Sequence, residues 1–228
     1  IMPEKEYRRG VDLRYVREDY AESVKCFRRA AGKGHTAAMV ELGRAYQLGQ
    51  GCIVSCSSAS NWFRKAAMAG DASAQLELGL MYQDGTAVDS PASKLGVPNM
   101  IEATKWFSKA ADQGNPRAQY EMAVACAEGT GGLPQDDYAA IKWLRKSAAQ
   151  GNDSAQYALG VTYDEGKFVD QDGNVAKAWY EKAAAQGNTK AMFNLGTNYL
   201  EGSPERAPDT ALAIAWFRQA AELGYAEA

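Results

Sequence analysis

Apolar positions recur along this chain with a helical period, and the whole pattern then repeats. Ala155, Leu159 and Tyr163 stand at i, i+4 and i+8, as do Ala191, Leu195 and Tyr199. Each set marks one face of an α-helix. A second helix type carries the tryptophans: Trp62, Trp106, Trp143, Trp179 and Trp216, at spacings of 44, 37, 36 and 37 residues. Cys26 takes the equivalent place one interval earlier, before Phe27-Arg28-Arg29-Ala30-Ala31. Blocks such as Trp62-Phe63-Arg64-Lys65-Ala66-Ala67 and Trp179-Tyr180-Glu181-Lys182-Ala183-Ala184 are copies of it.

Three glycine registers keep step with this period. The first, eight residues after the Trp position, reads Gly34, Gly70, Gly114, Gly151, Gly187 and Gly224. It follows an Ala- and Lys-rich helix, where a left-handed C-terminal residue belongs. Asp71, Asn115, Asn152 and Asn188 come next and suit the N-cap of the following helix. The second register (Gly43, Gly79, Ala123, Gly160, Gly196) falls inside that helix. There a glycine costs roughly 1 kcal/mol against Ala, so close approach of a partner helix is expected to compensate. The third (Gly49, Gly85, Gly129, Gly166, Gly202) ends the helix and opens a loop.

Each unit is therefore helix A, turn and helix B, the Trp helix. Neither helix buries its stripe alone, so neighbouring units must stack. The predicted fold is all-α: a right-handed superhelical solenoid of helix–turn–helix repeats, one array over residues 1–228 with about six repeats. Two irregularities stand out. The long interval between Trp62 and Trp106 predicts a loop insertion near 86–100, around Ser90-Pro91-Ala92-Ser93-Lys94-Leu95-Gly96-Val97-Pro98. The first unit lacks the glycine-rich loop. The chain starts at Ile1 rather than Met and stops inside what reads as a new helix A after Gly224. A fragment of a longer protein, with further repeats or a cap, is expected.

The pattern Ala155-x-x-x-Leu159-Gly160-x-x-Tyr163-x-x-Gly166, followed by Ala178-Trp179-x-x-Lys182-Ala183-Ala184-x-x-Gly187, resembles the Sel-1-like repeat family, relatives of the tetratricopeptide repeats. The resemblance runs from about Val11 to the end, in five full or near-full copies. It implies a superhelix whose A helices line a concave face, and scaffold or adaptor roles in quality-control complexes, enzyme activation and bacterial host interaction. Some bacterial relatives pair cysteines between the two helices of each repeat; Cys26, Cys52, Cys56 and Cys126 do not follow that arrangement.

A partner would meet helix A. Counted from the first glycine, position +6 reads Val40, Leu76, Tyr120, Tyr157 and Phe193, and position +10 reads Arg44, Leu80, Val124, Val161 and Thr197. These lie roughly opposite the +4, +8, +12 ladder, and a helix apolar on two faces is either sandwiched or offers a surface. Either +6 packs on the adjacent repeat, or +6 and +10 together form a groove for an extended peptide or an amphipathic helix. Glu41, Glu77 and Glu121 at +7 form either its acidic edge or a solvated stripe.

Composition narrows the function. Hydrophobic residues are 46% and charged residues 23%, as in ordinary folded proteins. A net charge of −3 gives no basic footprint for nucleic acid. No apolar run approaches the ~20 residues of a membrane helix. Four cysteines in so long a chain point to a cytoplasmic or other reducing compartment, with export left open. His35, the one histidine, reads as a capping or surface residue, since a metal or triad site needs partners. Cys52-Ile53-Val54-Ser55-Cys56 lacks the Cys-x-x-Cys spacing, so no metal is expected, although Cys52 oxidation stays open. Gly129-Thr130-Gly131-Gly132 reads as a turn without the Lys-Ser/Thr of a phosphate loop, and Asp136-Asp137 as a helix cap. The tryptophans read as core packing rather than a cation cage.

The expected function is a protein-interaction scaffold with no enzyme activity and no cofactor. The alternatives are a regulatory or docking segment of a larger enzyme, or an exported bacterial factor that engages host proteins.

Overall fold

The computed structural model describes residues 2–87, 96–202 and 207–225. Among them all regular structure is helical. The A helices are α1 (Pro3–Tyr15), α3 (Thr36–Leu48), α5 (Ala72–Gln83), α7 (Pro116–Glu128), α9 (Asp153–Glu165) and α11 (Thr189–Glu201). The B helices are α2 (Tyr20–Ala31), α4 (Cys56–Met68), α6 (Met100–Asp112), α8 (Asp137–Ala149), α10 (Gly173–Ala184) and α12 (Thr210–Glu222). The chain divides into two compact units, Ile1–Ala118 with Thr130–Leu133, and Gln119–Gly129 with Pro134–Ala228.

Local chemistry sets the helix ends. At the A helices the cap is His35, Asp71, Asn115, Asn152 or Asn188, each accepting from the N–H three residues on. At the B helices Asp19, Ser55, Asn99, Asp136, Asp172 and Asp209 do the same. The turn before α9 shows the geometry: Gly151 donates to Ala148 O at 3.0 Å and Asn152 to Ser147 O at 3.2 Å. Gly151 has φ +89°, a backbone that a side chain would strain.

In the first unit α1 packs on α2, α3 on α4 and α5 on α6, with α2–α3 and α4–α5 joining successive pairs. In the second, α9 packs on α10 and α11 on α12, joined through α8–α9 and α10–α11. Ala38, Ala74, Ala118, Ala155 and Ala191 at +4 are fully buried, as are Leu42, Leu78, Leu159 and Leu195 at +8.

The glycine inside each A helix other than α7 meets an aromatic ring of the following B helix. A Cβ built on Gly43 would lie 2.5 Å from Cε1 of Phe63, and one on Gly79 2.5 Å from Cε1 of Phe107. Gly160 faces Tyr180 and Gly196 faces Phe217 at the same 2.5 Å, and Gly10 faces Phe27 at 2.6 Å. Close approach is thus what compensates the helix-breaking residue.

This refines the expected core packing of the tryptophans, which rest on the core without being enclosed by it. The fully buried ring is that of the next residue: Phe27, Phe63, Phe107 and Tyr180 are at most 1% exposed. The tryptophans are half-buried. Trp62, Trp179 and Trp216 lay one face on the core. Lysines three residues on sit over the indoles, Lys65 at 4.4 Å from Trp62, Lys109 at 4.2 Å from Trp106, Lys146 at 4.4 Å from Trp143 and Lys182 at 4.1 Å from Trp179. Each such contact contributes about 0.5–1 kcal/mol at an exposed site.

The insertion expected near 86–100 lies partly outside the described residues. Its ends are closed by Gly96 N–H to Gly85 O at 2.8 Å and Asn99 N–H to Tyr82 O at 2.8 Å. Ala226 to Ala228, where a new helix was expected, also lie outside them.

Candidate functional site

The outer face of the A helices carries the +6 and +10 side chains. Val40 and Leu76 at +6 are buried. Tyr120 is half-buried on a cluster of Ala148, Ala155 and Leu159. Tyr157 lies 6.0 Å from the ring of Tyr180, and Phe193 lies 5.3 Å from Phe217 and 5.2 Å from Tyr225. Tyr120 and Tyr157 reach core clusters that include the following A helix, whereas Phe193 packs on rings of its own repeat. Burial pushes the Tyr120 and Tyr157 hydroxyls above their usual titration range.

Position +10 is half-buried in every repeat that carries it: Arg44, Leu80, Val124, Val161 and Thr197. Thr197 Oγ1 donates to Phe193 O at 3.3 Å. Arg44 reaches Glu41 at 3.1 Å and Glu77 at 3.9 Å. Two clefts open at the +3 and +6 positions. One, of about 170 Å³ in the first unit, is bounded by Tyr7, Ala37, Val40, Glu41, Arg44, Asp71 and Ser73. The other, of about 310 Å³ in the second unit, has Tyr120, Ser154, Tyr157 and Lys190 on its walls.

Glu41 forms no acidic edge. It is 7% exposed and pairs with the equally buried Arg14 at 3.0 Å, while Tyr15 OH donates to it at 3.0 Å. Arg14 also donates to Gln50 Oε1 at 2.6 Å. A carboxylate removed from water is tolerable because both of its oxygens are met by donors. Glu77 is half-buried beside Arg44, and Glu121 is half-buried on α7.

Two inter-helix networks escape a reading by period alone. Gln75, Gln119 and Gln156, buried at +5, accept from Gln113, Gln150 and Gln186 at 2.8, 2.8 and 2.9 Å. Gln75 and Gln156 also donate back to Ala67 O and Ala148 O. Arg28, Arg64 and Arg145, two residues after the Trp position, donate to Tyr46, Tyr82 and Tyr163 in the next A helix. Their signal was a recurrence of Gln at +5 and −1 and of Arg eighteen residues before Tyr.

His35 caps α3 through Nδ1, and its Nε2 lies 2.9 Å from Glu4 while Tyr7 stacks on the ring at 4.4 Å. All four cysteines are free thiols, and burial raises the Cys26, Cys52 and Cys126 titrations. Among the described residues no cluster of His, Cys, Asp and Glu is arranged to hold a metal ion, and no helix is long and apolar enough to cross a membrane. What the face offers is shape, aromatic surface and hydrogen bonding.

A model of the Sel1 repeat matches residues 6–35, 36–71, 72–115, 116–152, 153–188 and 189–225. The chain belongs to the Sel1 repeat family. The match begins at Glu6, ahead of Val11, because α1 with Gly10 is a working A helix despite its missing loop. A Sel1 repeat protein from Oxalobacter formigenes is similar at 34% identity and TM-score 0.83, over 96% of this chain and 84% of that one. A protective antigen of uropathogenic Escherichia coli with the same repeat fold matches at 32% identity and TM-score 0.80 over 98% of this chain. This chain spans 46% of that antigen's length. An immunity protein from Pseudomonas aeruginosa, at 24% identity and TM-score 0.61 over 99% of this chain and 82% of its own, shares the fold. No curated protein matches the chain. Sel1 repeats mediate protein interactions and their proteins are typically non-enzymatic scaffolds.

Proposed function

We propose that this Sel1 repeat chain is a non-catalytic adaptor that holds a peptide or partner protein on its A helices, at Val40, Arg44, Leu76 and Leu80 in the first unit and at Tyr120, Val124, Tyr157, Val161, Phe193 and Thr197 in the second. The behaviour of position +10 carries the reading. Core positions +4 and +8 hold nearly the same residues in every repeat, because they pack against the recurring small and aromatic residues of the B helices. Position +10 changes from Arg to Leu, Val and Thr, yet stays half-exposed throughout. Side chains that vary so widely at a partly open position leave room for a partner to select them. The aromatic +6 residues beside them supply the anchor type favoured at interfaces.

The test is co-purification of the tagged protein from its native cells, comparing wild type with Leu80→Glu plus Thr197→Glu. Loss of specific partners, with helicity and melting unchanged by circular dichroism, supports the groove. Undiminished recovery of the same partners rejects it.

The similarity to the uropathogenic Escherichia coli antigen favours a second reading, an exported factor whose partner is a host protein. Fractionation of native cells decides it: protein confined to the cytoplasm rejects that reading.

A further inference from the structure

Two of the loops after the A helices carry a second glycine where the loop after α9 carries Phe168, and a cleft lies beside that phenylalanine. Two positions past the loop glycine stand Gly51 in the second repeat and Gly131 in the fourth, at φ +74° and +64°. A Cβ on Gly51 would collide with the carbonyl of Tyr20, and one on Gly131 with Thr104 and the carbonyl of Met100. Tyr20 and Met100 are the first residues of the preceding B helices, so these glycines seal the loop against a helix start. The fifth repeat has Phe168 in that register, at φ +62°, a conformation an aromatic residue rarely adopts. Its Cβ and ring cannot make the glycine contact with Asp137, the first residue of α8. There an apolar cleft of about 240 Å³ is walled by Ile141, Leu144, Val161 and Phe168, with the charged residues Asp137, Glu165 and Lys167 also lining it.

We infer that this cleft is a recognition site for one bulky apolar side chain of a partner peptide flanked by basic residues. Its volume is below the roughly 300–1,000 Å³ of small-molecule pockets, and suits a single Leu- or Phe-sized anchor. Charge selects the flanks. Among the charged residues lining the cleft, Asp137 and Glu165 outnumber Lys167. A basic segment is drawn to this cleft and an acidic one is repelled. Phe168 is 58% exposed, so its ring is free to cover an inserted side chain. The cleft shares only Val161 with the A-helix groove, and Leu80→Glu plus Thr197→Glu leaves its walls intact, so the two readings fail separately.

The probe is a capped Lys-Leu-Arg tripeptide, titrated at millimolar concentration into protein with ¹³C-labelled Ile, Leu and Val methyls. Saturable shifts confined to Ile141, Leu144 and Val161 are expected, at least about tenfold weaker for capped Glu-Leu-Glu and Lys-Ala-Arg, a factor typical of one lost anchor or charge match. In Phe168→Gly the loop regains the residue its sister loops use. Melting is expected to hold or rise while the shifts disappear, which separates loss of the site from loss of the fold. Absence of shifts in the wild type, equal shifts from the acidic peptide, or unchanged shifts in Phe168→Gly each overturn the proposal. So do concentration-dependent shifts of these methyls without peptide, which would make a second copy of the chain the occupant.

Discussion

The α9 backbone at Gly160 lies directly against the ring of Tyr180: an added Cβ would stand 2.5 Å from both Cδ1 and Cε1. The fourth repeat solves the same register differently, with Ala123 on the A helix and Leu144 at the B-helix position. Gly160→Ala improves helix propensity by about 1 kcal/mol but overpacks the contact by about 1–3 kcal/mol. Net destabilisation in urea unfolding is expected. Combined with Tyr180→Leu, the two changes should cost less than their separate sum. Strict additivity would show that the ring and the glycine do not compete for one space.

His35 does for α3 what asparagine does for α7, α9 and α11. His35→Ala removes the cap and is expected to cost about 1 kcal/mol. His35→Asn keeps it, losing only the contacts to Glu4 and Tyr7, and should fall between the wild type and His35→Ala in chemical denaturation. Equal losses in the two variants would place the stabilisation in the ring stack instead.

Arg14 and Glu41 are both less than a tenth exposed. Removing Arg14 leaves the buried Glu41 carboxylate with only Arg44 and the Tyr15 hydroxyl, so Arg14→Met should cost about 1.5–3 kcal/mol. Arg14→Met with Glu41→Leu should recover most of that, read as the denaturation midpoint. A double variant no better than the single one would contradict the pairing.

Asp164 titrates above its ordinary value of 3.8, because burial disfavours its charged form more than the Tyr180 hydroxyl favours it. A carboxyl that holds its proton more tightly when folded contributes stability below the unfolded value and loses it as pH rises through the folded one. Wild-type stability therefore carries a component that declines from about pH 4 upward. Asp164→Asn is expected to abolish that component, measured as the melting temperature of the two proteins across this range. Parallel curves would exclude Asp164 as its source.

The sequence by itself determined the repeat, its helix boundaries and its turns, because these rest on contacts within a few residues. Asn152 caps α9 and Gly151 turns the chain before it whatever lies nearby. The interior glycines announced a close helix approach, since nothing local compensates them. Tertiary structure decided what met them. Trp and the residue after it occupy adjacent positions on a helix, and the period cannot say which ring goes inward; the stacking put Phe63, Phe107 and Tyr180 there and left the indoles under lysines. Stacking likewise took Glu41 out of solvent, because Arg14 arrives from a different helix, and it paired Gln156 with Gln186. For the candidate groove, helix A showed two apolar faces, and neighbouring helices then engaged the +6 rings while +10 stayed only partly covered. The Phe168 cleft was the least legible, since it depends on how a loop meets the start of another helix, a contact that no spacing along the chain encodes.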